Sequence, residues 1–137
     1  MFGFNNMLGV IVDKNYLTKF SDKEKEVFKI YIKICEAIVE KDIKTLQQDI
    51  PEMRIKNILN DSKSKKEWIK DIEKENIKYY GIELLNTEIN ITKDNATIKS
   101  KSKIRAKLFE YRGSWIKTTY MDFIKENDKW IITDFCI

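Results

Sequence analysis

The sequence predicts a single α+β domain, with helices first and an antiparallel sheet after them. Two observations carry this. Over residues 83 to 137 an alternating strand pattern runs three times into a short polar turn and returns, at Lys93-Asp94-Asn95, at Arg112-Gly113-Ser114 and at Glu126-Asn127-Asp128. Strands joined by such loops read as a meander. Upstream of it, apolar residues recur at helical spacing instead.

Ser21-Asp22 followed by Lys23-Glu24-Lys25-Glu26 opens the first helix with a capping residue and acid in its first turn. Val27, Ile30, Tyr31, Ile34 and Ile38 form one apolar row, and Phe28, Ile32, Cys35 and Val39 a second beside it. An arc that wide belongs to a helix lying deep against a sheet. The helix should end near Glu40-Lys41-Asp42, and a short second helix from Ile43 to about Gln48 should stop before Pro51. Residues 50 to 63 fit no single period. Ser64-Lys65-Lys66-Glu67 reads as a capping box for a third helix that buries Trp68, Ile69 and Ile72, and the sheet should start near Ile77.

Composition sets bounds. The chain has 137 residues, 42% of them hydrophobic and 35% charged, as an ordinary one-domain globular protein does. The net charge of +4 does not by itself imply a nucleic-acid partner. No apolar run approaches the roughly 20 residues that span a bilayer, so no membrane partner is expected. The first twelve residues have no basic start and no small-residue cleavage site, and they read as an extension over residues 1–20, with the domain at 21–137. Cys35 and Cys136 stand far apart without metal spacing, which favours a reduced, cytoplasmic protein. The chain contains no histidine, which removes histidine bases, histidine-dependent triads and histidine metal sites. Neither a metal nor a cofactor is expected.

Two helices, a capped third helix bearing Trp68, and then a four-strand meander resemble the nuclear transport factor 2-like superfamily, and within it the SnoaL-like small domains of bacteria. Residues 64–72 are similar to the Trp-bearing helix of those domains, and 77–83 to their entry into the sheet. Asp94-Asn95-Ala96-Thr97-Ile98 and the stretch 123–132 are similar to two further motifs of those domains, at the first and last turns of the meander. The resemblance covers about residues 21–137. It implies a cone-shaped, cystatin-like fold with three helices on a strongly curved sheet, and a pocket between the first helix and the concave face. Relatives often carry histidine in the regions that here read Ile50-Pro51-Glu52-Met53-Arg54-Ile55-Lys56 and Tyr80. Histidine chemistry therefore does not carry over.

On the second meander strand, Ile98, Ser100, Ser102, Ile104, Ala106 and Leu108 share one face, expected inward. Lys99, Lys101, Lys103, Arg105 and Lys107 share the other. From Lys93 to Lys117 there are eight basic and two acidic residues. A solvated face is the simpler reading of that comb, since the strand lacks the interleaved aromatics of a single-strand binder.

On the third strand, the family pattern assigns the row Ile116, Thr118, Tyr120, Asp122 and Ile124 to the pocket. The row Trp115, Lys117, Thr119, Met121 and Phe123 then faces out, as a dimer surface too apolar to leave in water. A desolvated carboxylate can act as general base and a tyrosine hydroxyl can stabilise an oxyanion, as ketosteroid isomerases use these residue types. Asp134 shares the ambiguity of Asp122. Trp68 and Trp130 are expected in the core, and Trp115 at a rim or interface.

The expected function is binding of a small apolar or amphipathic molecule in the cone, through Tyr80, Ser100, Ser102, Trp115, Tyr120, Asp122 and Asp134. A homodimer is expected through strands near 115–137. The alternative is isomerase, dehydratase or cyclase chemistry with Asp122 as base and Tyr120 as oxyanion donor. A further alternative is a nucleic-acid or acidic partner on the lysine comb.

Overall fold

In the computed structural model of the chain, which describes residues 9–12 and 19–137, Ser21 caps helix α1 (Asp22–Glu40). Its hydroxyl accepts from the Glu24 amide at 3.2 Å, and the Glu24 carboxylate accepts from the Ser21 amide at 2.8 Å. This reciprocal box satisfies two amides that a helix start otherwise leaves open. Lys41, in the left-handed region at φ 59°, ends the helix. Helix α2 (Ile43–Asp49) follows at once, capped by Asp42. Helix α3 (Lys65–Glu73) is capped by Ser64, which accepts from the Glu67 amide.

Among the described residues, seven strands form one open sheet in the order β1-β4-β5-β6-β7-β2-β3. They are β1 (Val10–Val12), β2 (Arg54–Lys56), β3 (Ser62–Ser64), β4 (Ile77–Ile91), β5 (Asn95–Leu108), β6 (Tyr111–Glu126) and β7 (Lys129–Cys136). The long strands β4 to β7 are the expected antiparallel meander. Its edges differ from expectation. β1 runs parallel to β4, pairing Val10 with Ile82, and β2 runs parallel to β7. The stretch without a clear period, 50 to 63, thus holds the β2–β3 hairpin that completes the sheet. Bulges at Tyr79/Gly81, Leu84/Asn86 and Asp122/Phe123 bend it. Residues 1–8 and 13–18 of the expected N-terminal extension lie outside the described residues.

α1 buries Val27, Phe28, Tyr31, Ile34, Cys35, Ala37 and Ile38 against β4 and β5, as its double row requires. Trp68 and Ile72 of α3, with Phe123, Phe135 and Ile137 from the far side of the sheet, continue the same core. Trp68 meets Phe135 edge-on at 6.2 Å.

One turn lies elsewhere than the sequence suggests. β5 and β6 are joined at Phe109-Glu110, with Leu108 opposite Tyr111, and Gly113 sits inside β6 opposite Ala106. Phe109 takes φ 60°, a conformation glycine would reach more cheaply. Tertiary contacts hold it there: its amide donates to the Asn76 carbonyl at 2.7 Å and Lys63 Nζ stands 4.3 Å from the centre of its ring. The last hairpin behaves as local rules predict. Asn127 and Asp128 both have positive φ, the geometry of a two-residue type I′ turn.

Candidate functional site

The register of β5 and β6 decides what the cone contains. Ser100 pairs with Thr119 and Ile98 with Met121, so Thr119, Met121 and Phe123 face α1, and all three are buried. Tyr120 and Asp122 pair with Lys99 and Thr97 on the opposite, outer face. Both assignments for β6 are therefore corrected. Tyr120 and Asp122 do not line the cone, and the apolar row expected at a dimer surface is core. What β6 and β7 turn outward is Ile116, Thr118, Tyr120, Asp122, Ile124 and Ile131, a mixed surface.

Of the expected ligand-binding residues, Ser100 and Ser102 do face inward and are buried. Trp115 is half-buried against the core edge, opposite Ile104. Tyr80 lies outside, where its hydroxyl accepts from Arg112 at 3.1 Å. Asp134 stands across from Asp122 on the outer face.

Inside, a layer of neutral hydroxyls spans helix and sheet. Tyr31 Oη and Thr119 Oγ1 share a hydrogen bond of 2.6 Å, Thr119 and Ser102 one of 3.0 Å, and Thr87 and Ser100 one of 2.9 Å. These groups satisfy one another, as buried hydroxyls must. Burial pushes the Tyr31 hydroxyl well above its ordinary range and the neighbouring Cys35 thiol up to about 12, so both stay neutral. Tyr79 is likewise raised by burial, and its hydroxyl donates to the main-chain oxygen of Ile137 at 2.8 Å. This layer of the interior is thus hydrogen-bonded and uncharged.

Open space lies nearer the rim. A cleft of about 510 Å³ separates the start of α1 from the far ends of the strands. Trp130 and Ile91 are its apolar lining, and the rest is polar or charged, with Lys23, Glu24, Glu26, Lys93 and Lys125 among it. Lys125 Nζ is 5.1 Å from the Trp130 ring centre, and Trp130 meets Phe123 edge-on. Sequence reasoning assigned Trp130 to packing. Its neighbours in the cleft come from α1, the β4–β5 turn and the β6–β7 hairpin, and no linear pattern joins those segments.

No protein-family model matches the sequence, and comparison with curated proteins found no match. Solved structures do match. A nuclear transport factor 2-like protein from Cytophaga hutchinsonii aligns with a TM-score of 0.69 at 12% identity, over 85% of this chain and 97% of that one. A candidate dehydratase of the same fold family from Streptomyces avermitilis gives 0.64 at 14%, over 83% and 93%. A candidate ketosteroid isomerase from Shewanella frigidimarina gives 0.60 at 19%, over 79% and 90%. The chain therefore has the nuclear transport factor 2-like fold, an α+β cone with its sheet left open. Identities this low establish the fold and leave the activity to be argued from the site.

Proposed function

We propose that the protein is a small-molecule-binding domain of the SnoaL-like kind, which holds an apolar or amphipathic ligand between α1 and the concave side of the sheet without chemistry on it. The observation that carries this reading is the rim cleft. Its volume of about 510 Å³ falls within the ~300–1,000 Å³ of small-molecule sites. An apolar body would lie against Trp130 and Ile91, and a polar end would reach Lys93 or Lys125.

Among the described residues that line the cleft, no buried carboxylate offers a base for proton transfer. The carboxylates at the cleft are Glu24 and Glu26, at the open start of α1, and Glu24 is already held by the Ser21 amide. Asp122 and Tyr120, the pair suited to isomerase work, are on the other side of the sheet. Both cysteines are free and buried, which fits a cytoplasmic setting. Among the described residues no helix is long and apolar enough to cross a membrane.

Titration with anilinonaphthalene sulfonate, an apolar body with one anionic end, tests the reading. Saturable one-to-one fluorescence enhancement is expected, lost in Trp130→Ala and kept in Asp122→Asn. Enhancement that does not saturate, or that survives Trp130→Ala, would overturn it.

A further inference from the structure

We propose that the outer face of the sheet is a binding track for single-stranded nucleic acid. The strand period places Lys99, Lys101, Lys103, Arg105 and Lys107 on that one face of β5, while the residues between them are buried. Alternate residues of a strand stand about 6.8 Å apart, so the row extends about 27 Å, room for several nucleotides.

These cations are largely uncommitted. Among the described residues, Lys99, Lys101, Lys103 and Arg105 have no carboxylate within ion-pair distance, although Glu88 and Glu83 of β4 pair with Lys99 and Lys103 in the backbone register. Only Lys107 is engaged, donating to the Glu75 carbonyl at 3.2 Å. Arg105 lies flat over Gly81, where a Cβ would come within 2.6 Å of its Nη2. Lys78 and Arg112 flank the end of the row near Lys107, one on each neighbouring strand.

The aromatics absent from β5 itself are supplied by the adjacent strands. Tyr80 of β4, 37% exposed, sits at the Arg105–Lys107 end with Arg112 and Lys78 each 5.5 Å from its ring centre. Tyr120 of β6 lies opposite Lys99 at the other end, and Ile116, 55% exposed, opposite Lys103. Cations that follow a backbone beside ring faces on which bases stack are the two components of single-strand recognition. A duplex keeps its bases stacked on one another and offers these tyrosines nothing. An acidic peptide would use the lysines and gain nothing from the rings.

Anisotropy of labelled 12-nucleotide oligouridylate and oligothymidylate, in 50 mM salt, is the test. Both should bind, with a log–log salt slope near −3 for four or five phosphates neutralised at about −0.7 each. Lys101→Glu/Lys103→Glu should lose at least tenfold. Tyr80→Ala should lose roughly fivefold or more for the oligonucleotides, yet bind heparin, which has no bases, unchanged. These side chains are exposed, and circular dichroism would check that each variant is folded. The proposal is overturned by no binding at 50 mM salt, by equal binding of polyglutamate or duplex, or by indifference to Tyr80→Ala.

Discussion

The hydroxyls of Tyr31 on α1 and Thr119 on β6 meet at 2.6 Å, with both side chains buried. This contact joins residues 88 positions apart and fixes which face of β6 looks into the cone. Tyr31→Phe should cost about 1 kcal/mol, since Thr119 keeps Ser102 as partner. Thr119→Val should cost more, about 1–3 kcal/mol, because it leaves both Tyr31 and Ser102 short of a partner. The double variant should fall below the sum of the two. Urea unfolding of the four proteins measures this, and strict additivity would place the two hydroxyls apart.

Asp122 and Asp134 stand directly opposite each other on the outer face of β6 and β7, both half-buried. Like charges across a strand pair repel, so Asp122→Asn should stabilise the fold by a few tenths to about 1 kcal/mol. The gain should shrink as salt screens the pair. Thermal unfolding at low and high salt checks it. A clear loss of stability would mean that Asp122 has a partner the outer face does not give it.

Much of this arrangement was legible in the sequence, and the part that was not has two causes. The caps at Ser21 and Ser64, the double row of α1, and the inward Ser100 and Ser102 all follow from local periodicity. The faces of β6 do not, because both of its rows carry apolar residues and only register separates them. A three-residue turn centred on Gly113 would pair even-numbered residues of β5 with even-numbered residues of β6. That pairing sends Tyr120 and Asp122 inward with Ser100. The observed two-residue turn at Phe109-Glu110 pairs even with odd, and every side chain of β6 changes face. The glycine advertised the wrong turn, while Asn76 and Lys63, distant in sequence, hold the real one. The short strands β1, β2 and β3, three residues each, were too short for any period to register.

Alkaline pH should unfold the protein earlier than its modest charge suggests. Burial raises the Cys35 thiol to about 12 and lifts Tyr31 and Tyr79 well above the ordinary range. In the unfolded chain such groups ionise near about 8.5 and 10. The folded values lie above the unfolded ones, so this stability is intact below about pH 8 and is lost as pH rises through the window up to about 12. The loss should approach about 1.4 kcal/mol per pH unit for each group engaged. Cys35→Ala should flatten the lower part of that slope in urea unfolding from pH 7 to 10. An unchanged slope would contradict the burial of the thiol.

Trp68 presents a different cost. Its ring is buried, and its Nε1 finds no acceptor among the described residues. An unsatisfied buried donor costs about 1–3 kcal/mol, which Trp68→Phe would relieve while opening a cavity. The two effects oppose, so Trp68→Phe should lose less than the 3–5 kcal/mol typical of removing a large aromatic outright. Trp68→Ala should show that full loss. Chemical denaturation of both variants makes the comparison, and a Trp68→Phe loss of about 3 kcal/mol or more would mean the indole nitrogen is satisfied.

The claim that the cleft between α1 and the sheet holds a small molecule is tested most directly by native mass spectrometry of freshly purified protein. An added small-molecule mass is expected on the wild type, retained in Asp122→Asn and lost in Trp130→Ala. A bare polypeptide mass, or an added mass indifferent to Trp130→Ala, would contradict it.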